Sequence, residues 1–196
     1  MKRILTKKFF ERATLIVARD LLGKFLVRKK GKKEIAHMIT EVEAYDGHKD
    51  QGSHAHRGET ARNKVMFGEA GVWYVYFVYG MYDMLNVVTS PREYPAAILI
   101  RGVEGINGPG RLTKKLGITR QLNGKGAVRT SGLWIEDIGV NINKKDITST
   151  PRIGVNYAGP VWSKKPYRFI LKKHESRSTC LPVGRENSIG VIDVIL

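Results

Sequence analysis

Apolar residues recur at helical spacing near the start of the chain and then give way to alternation. Phe9, Phe10, Ala13, Ile16, Val17 and Ala18, closed by Leu21 and Leu22 before Gly23, predict a helix over residues 8–22 with glycine at its C-terminal end. Residues 24–30 alternate partly as a strand, Gly31-Lys32-Lys33 reads as a hairpin turn, and residues 34–45 read as the return strand, with Ile35, Met38, Ile39 and Val42 apolar. Residues 46–62 have no period and hold His48, His54 and His56; polar loops of that length inside a compact chain are usually functional. The turn Gly68-Glu69-Ala70-Gly71 leads into an aromatic strand over 72–79, and nearly continuous apolar runs at 84–89 and 96–103 predict two central strands. Gly108-Pro109-Gly110 precedes a short helix, residues 111–116, stopped by Gly117. Segments 133–142, 153–158 and 167–173 complete the strand candidates. Without repeats or a linker, the 196 residues predict one domain over 1–196, of class α+β: a largely antiparallel β core with peripheral helices.

Strand parity sharpens the aromatic segment. Trp73, Val75 and Phe77 share one face and fit ordinary core packing, while Tyr74, Tyr76 and Val78 share the other. Tyr79 sits beside Gly80 at the strand end, where a rigid ring is placed to protrude. Composition then gives these rings a partner. Lys plus Arg number 34 against 18 Asp plus Glu, a net charge of +16 spread along the chain. A basic folded surface with many flat π-faces points to nucleic acid rather than neutral metabolites. Each base–aromatic stack contributes about 1–3 kcal/mol, comparable with the few kcal/mol needed to unstack a base. The single cysteine, Cys180, rules out an internal disulfide and points to a reducing compartment. No signal-peptide core or membrane-length apolar run is present, so the expectation is a soluble, intracellular protein.

The chemistry-bearing residues each carry two readings. Glu41 and Glu43 fall on the same face of a strand ending at Tyr45, which makes them a general base with its neighbour or simply a solvated strand face; spacing does not separate the two. His48, His54 and His56 invite a metal, but their spacing matches no familiar zinc signature and no cysteine pair supports it; an exposed or stacking histidine is the simpler reading. The stretch Asn107 to Arg111, with Lys114 and Lys115, either holds a phosphate at a helix start or is an ordinary turn. Neither a Ser-His-Asp nor a reactive-cysteine arrangement is legible, and Cys180 reads as inert or buried.

A longer set of motifs goes further. Thr40-Glu-Val-Glu-Ala-Tyr45, His54-Ala-His-Arg-Gly58, Arg62-Asn63, Met66-Phe67, Tyr74 to Met81, Asn86-Val87, Ile100-Arg101 and Asn107-Gly-Pro109 resemble, in this order, the alkyladenine (3-methyladenine) DNA glycosylase family. The match runs from about Ala18 to Phe169. The resemblance implies a monofunctional, monomeric glycosylase, cytoplasmic and nucleoid-associated if the source is bacterial, that removes alkylated or deaminated purines from duplex DNA without metal or cofactor. It implies Glu43 as the base that activates water, Arg101 as the group that helps place it, and Tyr45, His54 and Tyr76 as walls around a flipped base. It further implies Asn86 as the residue that rejects guanine and Tyr79 as the side chain inserted into the duplex. Met81, Tyr82 and Arg111 complete the candidate DNA contacts. The family fold, a mixed and largely antiparallel β domain, agrees with the pattern above. Two other classes stay open at this point: a non-catalytic basic nucleic-acid-binding domain, and a metal-dependent hydrolase built on the three histidines.

Overall fold

The computed structural model describes residues 2–172, so Cys180 and the segment Ser188 to Leu196 lie outside the described residues. The elements are β1 (Arg3–Ile4), α1 (Lys7–Phe10), α2 (Thr14–Leu21), β2 (Phe25–Lys30), β3 (Lys33–Asp46), β4 (Trp73–Val78), β5 (Tyr82–Val88), β6 (Ala96–Val103), β7 (Ile106–Asn107), α3 (Pro109–Leu116), β8 (Leu133–Asp137), β9 (Ile147–Thr150), α4 (Gly159–Trp162) and β10 (Arg168–Leu171). Every strand pairing among them is antiparallel, in the order β1-β8-β2-β3-β6-β5-β4, with β10 joining β3 to β9 and β7 on β6. The expected α+β class with a largely antiparallel sheet holds.

The long strand β3 organises the sheet. Its first half pairs with β2, from Lys30↔Lys33 to Phe25↔Met38, and its second half pairs with β6 on one side and β10 on the other. Where the partners change, the β3–β6 register slips twice, between Ile39 and Glu41 and between Glu41 and Val42. The first slip leaves Thr40 as the extra residue, and the second leaves Arg101 on β6. Such bulges bend a strand and re-aim its side chains. The buried Ile39 and the buried Val42 are therefore three positions apart, breaking the period of two before Ala44 restores it.

After the bulges, parity gives the sheet two faces. Val42, Ala44, Trp73, Val75, Leu85, Val87, Ile98 and Ile100 point into the main core, which α2 covers with Val17, Ala18 and Leu21 and α3 covers with Leu112 and Leu116. The alternate residues, Tyr74, Val88 and Ala97, pack with Ala55, Met66 and Phe67 in a smaller cluster on the other face. Phe77 leaves its predicted core face: it lies at the strand end, exposed, with the Arg120 guanidinium 4.5 Å from its ring centre.

Several elements differ from the pattern in the sequence. The helix expected over 8–22 is two helices. Arg12 turns its Nε back to the Phe9 carbonyl at 2.9 Å and pairs with Asp20 at 2.8 Å, capping the first. Thr14 is buried in a 2.9 Å hydrogen bond with Ser90, which ties the start of the second to the end of β5. The break lets Phe10 and Leu21 both reach the core. The strand expected over 133–142 stops at Asp137, whose carboxylate takes the Gly139 amide at 2.8 Å and the Lys24 ammonium at 2.7 Å. Residues 153–158 form no strand but a turn and a 3-10 helix, Asn156–Ala158. The short strand β9 and helix α4 carry too little periodicity to announce themselves.

Phe169 on β10 is wholly buried, pairs in register with Val42, and carries Arg19 4.6 Å above its ring. Phe169→Ala should lower the unfolding free energy by about 3–5 kcal/mol, measured by urea denaturation.

Candidate active site

The second face of the sheet carries the site. In register across four strands, Glu43 on β3 faces Leu99 on β6, Leu99 faces Asn86 on β5, and Asn86 faces Tyr74 on β4. Glu43 and Asn86 are thus two strand spacings apart, roughly 10 Å between backbones. Tyr45, His54, Met66, Tyr74, Tyr76, Asn86 and Tyr157 line a pocket of about 40 Å³ in this row. The rings touch: His54 and Tyr76 meet edge to face at 4.6 Å, and Tyr74 and Tyr76 lie 5.1 Å apart.

Glu43 is fully buried, yet its carboxylate is well supplied with donors. Tyr45 donates its hydroxyl to Oε2 at 3.0 Å, and the Ile153 amide donates to Oε1 at 2.8 Å. The Arg101 Nε stands 3.7 Å from Oε1. Burial is the largest influence and raises the Glu43 pKa above the usual carboxylate value, opposed by the Ile153 amide, Arg101 and the Tyr45 hydroxyl. The neighbouring carboxylate is occupied differently. Glu41 accepts from Arg101 at 2.7 Å and from Arg168 at 2.6 Å through one oxygen. This pairing separates the two glutamates that spacing left equal: Glu41 is neutralised by two arginines, while Glu43 adjoins the ring-lined pocket through Tyr45.

The loop 46–62 is tightly tied. The Asn63 side-chain amide donates to the carbonyls of His54 and Gly58 at 2.8 and 2.9 Å and accepts from the Thr60 amide at 2.7 Å. This holds His54 over the pocket, its Nδ1 hydrogen-bonded to the Tyr74 hydroxyl at 2.9 Å. Burial, with Arg62 adding to it, pushes the His54 pKa down to about 4, so the ring is neutral at neutral pH. Burial also pushes Tyr74 up to about 12 and raises Tyr45 and Tyr76 above the usual phenol value, so their phenols stay protonated. Arg62 caps the outer side of Tyr76 at 5.2 Å. Asn86 donates Nδ2 to the Tyr74 carbonyl at 3.1 Å and to the Met84 carbonyl at 3.3 Å, which fixes its side chain.

The three histidines do not converge. His56 Nδ1 bonds to the His48 backbone carbonyl at 2.9 Å, the His48 ring packs near Phe67 and Tyr94, and His54 belongs to Tyr74. Among the described residues no three His, Cys, Asp or Glu side chains gather as metal ligands would.

The β4–β5 turn presents the remaining candidates. Tyr79 has φ 54° and Gly80 φ 67°, with the Met81 amide bonded to the Val78 carbonyl at 3.1 Å. Tyr79 is 83% exposed and Met81 63%. A tyrosine in the left-handed region with no packing to hold it is a strained residue at a protruding tip. Tyr82 lies back against α3, so close to Gly110 that a Cβ there would meet its ring at 2.6 Å. Arg111 is exposed beside it on the first turn of α3.

Four residues of the site escaped the sequence reading. Tyr157 lines the pocket and donates its hydroxyl to the Gly52 carbonyl at 2.9 Å, but it falls in the segment misread as a strand. Asp50 and Arg152 form a wholly buried pair behind Tyr45, and nothing in their spacing joins residues 102 apart. The backbone amide of Ile153 carries no side-chain signal at all.

A family model described as "Methylpurine-DNA glycosylase (MPG)" matches residues 8–107 and 104–175. Three relatives named "Putative 3-methyladenine DNA glycosylase" align over most of their length. One from Methanocella arvoryzae is 44% identical, covering 86% of this chain and 92% of its own. One from Myxococcus xanthus is 41% identical over 92% and 96%, and one from Sodalis glossinidius 42% over 85% and 95%.

The strained tip makes a stability prediction independent of activity. Asparagine tolerates the left-handed region better than tyrosine, so Tyr79→Asn should raise the unfolding free energy by about 1 kcal/mol in a denaturant titration. An unchanged or lowered midpoint would show that the ring is packed.

Proposed function

The chain belongs to the methylpurine-DNA glycosylase family, and from this premise we propose that Glu43 activates the water that cleaves the purine–sugar bond. The observation that carries the reading is the buried Glu43 carboxylate, held from both oxygens on the same sheet face as an aromatic pocket. The damaged purine leaves the duplex and enters between Tyr45, His54 and Tyr76. Glu43 takes a proton from a water molecule, the water oxygen bonds to C1′, and the bonding pair of the C1′–N bond departs with the base. Positive charge builds on the sugar meanwhile, and a single carboxylate with little water around it stabilises that charge. Arg101 stands at the same carboxylate and, tied to Glu41, is fixed enough to orient the water.

Electron-rich rings favour a cationic alkylpurine by cation–π attraction, and a neutral His54 adds no opposing charge. Hypoxanthine and 1,N6-ethenoadenine fit the same walls as neutral bases. Asn86, immobilised by its two carbonyl partners, excludes the 2-amino group of guanine. Tyr79 and Met81 enter the gap that the flipped nucleotide leaves, while Tyr82 and Arg111 flank the strand. The pocket-lining side chains carry no amine, which supports simple hydrolysis that leaves an abasic site and does not cut the strand. The competing reading, a basic domain that binds DNA without chemistry, leaves the buried carboxylate without a purpose.

Duplexes carrying hypoxanthine, ethenoadenine or 3-methyladenine should therefore become alkali-labile at the lesion. Glu43→Gln should slow this by roughly 10²–10⁴-fold with lesion binding retained, measured by single-turnover cleavage and gel shift. Strands left intact with all three lesions would overturn the assignment. The raised Glu43 pKa sets the sign of the pH dependence: the base works only ionised, so the rate falls as pH drops through that pKa. The acid limb should lie above the usual glutamate value, and a limb at or below it would contradict the burial argument. Asn86→Gly should release guanine from undamaged DNA faster than the wild type; equal rates would remove Asn86 from discrimination.

A further inference from the structure

Behind the pocket, two loops far apart in sequence are locked by one ion pair. Arg152 and Asp50 have no exposed side-chain surface. Arg152 Nη1 donates to Asp50 Oδ2 at 2.5 Å and to the Ala44 carbonyl at 2.9 Å, and Nη2 donates to Oδ1 at 2.7 Å. Asp50 also accepts the amides of Asp46 and Gly52, each at 3.0 Å. The fit leaves no slack: a Cβ on Gly52 would lie 2.6 Å from Arg152 Nη2. Among the described residues, Arg152 Nε is one of few buried polar atoms without a hydrogen-bond partner. Replacing such a pair with apolar groups often costs a fold nothing, so its stability contribution alone is a weak reason for it.

What surrounds the guanidinium supplies a better one. It lies 4.8 Å from the Tyr45 ring centre and 5.4 Å from that of Tyr167. Tyr45 is the residue whose hydroxyl holds Glu43 Oε2. The residue after Arg152 is Ile153, whose amide holds Glu43 Oε1. Both donors that fix the carboxylate therefore run through Arg152, one by ring stacking and one by chain continuity. Resting on the assignment of Glu43 as the base, we propose that Arg152, clamped by Asp50, is a positioning residue that aims the Glu43 carboxylate. It touches neither substrate nor carboxylate. Its planar fork makes the arrangement possible: it grips Asp50 with two parallel bonds, reaches Ala44 with the same edge, and offers its face to Tyr45. A lysine ammonium pairs with Asp50 but cannot do all three.

The test is Arg152→Lys, which keeps the buried charge neutralised, with Glu43→Gln and the wild type alongside. Single-turnover base release and lesion-duplex affinity are measured from pH 5 to 9, normalised to the folded fraction by circular dichroism. Loss of an outer support of this kind typically costs roughly 10–100-fold. Arg152→Lys should show that loss in the chemical rate, with lesion affinity changed less than about threefold. Its acid limb should also move to higher pH, because the Tyr45 and Ile153 donors that lower the Glu43 pKa are no longer held in place. The other groups facing Glu43, namely Glu41, Arg101, Tyr76 and Tyr157, are the same in both proteins. If Arg152→Lys merely unfolds more easily, with normalised rate and acid limb at the wild-type values, the pair is a structural clamp and the proposal fails. Where Arg152→Lys does not fold, Asp50→Asn takes its place with the same readouts and the same criteria. If Glu43→Gln keeps wild-type activity, the failure lies in the assignment of the base.

Discussion

A carboxylate removed from water must be held by donors that the fold provides, and this requirement shapes everything around Glu43. Without partners, burial would cost several kcal/mol or leave the group protonated. Two hydrogen bonds and a guanidinium offset that cost, yet burial still wins in direction and the pKa rises. The result is a carboxylate that is neither solvated and weakly placed nor fully neutralised. Glu41, two residues away, shows the alternative. Paired with Arg101 and Arg168 through one oxygen, its charge is balanced by two guanidinium groups on the same strand face.

The two bulges at the centre of the sheet make this division possible. Had β3 kept a strict period of two from Ile39, the residues now in the main core would have turned to the pocket face. The slips at Thr40 and Arg101 reset the parity, so that Val42 and Ala44 enter the core while Glu43 and Tyr45 face the rings. The extra residue Arg101 is thereby aimed at both glutamates. These two irregularities in backbone pairing thus place the Glu43 carboxylate, its neighbouring cation and one wall of the pocket. The loop 46–62 then closes the site from above, held by the side chains of Asn63 and Asp50 rather than by regular structure.

Much of this was legible in the residues because strand parity is simple geometry. The split between Trp73 and Val75 on one face and Tyr74 and Tyr76 on the other survives in the fold, as does the exposed ring of Tyr79. The ordered motifs from Thr40 to Pro109 identified the family, which local pattern alone could not do. Other features were hidden for physical reasons. The break in the first helix depends on Arg12 and Thr14 finding tertiary partners, and helical periodicity continues straight across it. The apolar residues of 153–158 imitate a strand, but Tyr157 and the Ile153 amide serve the pocket. The Asp50–Arg152 pair is invisible because each residue alone resembles an ordinary surface charge.

The central claim is that a purine stacked among these rings is released only through the Glu43 carboxylate. Ethenoadenine is fluorescent, so stopped-flow emission from a duplex carrying it reports stacking in the pocket and base release in one trace. The account predicts that Glu43→Gln gives the fast emission change of base capture at the wild-type rate, followed by no release phase. A release phase of wild-type rate in that variant, or no capture phase in either protein, would contradict it.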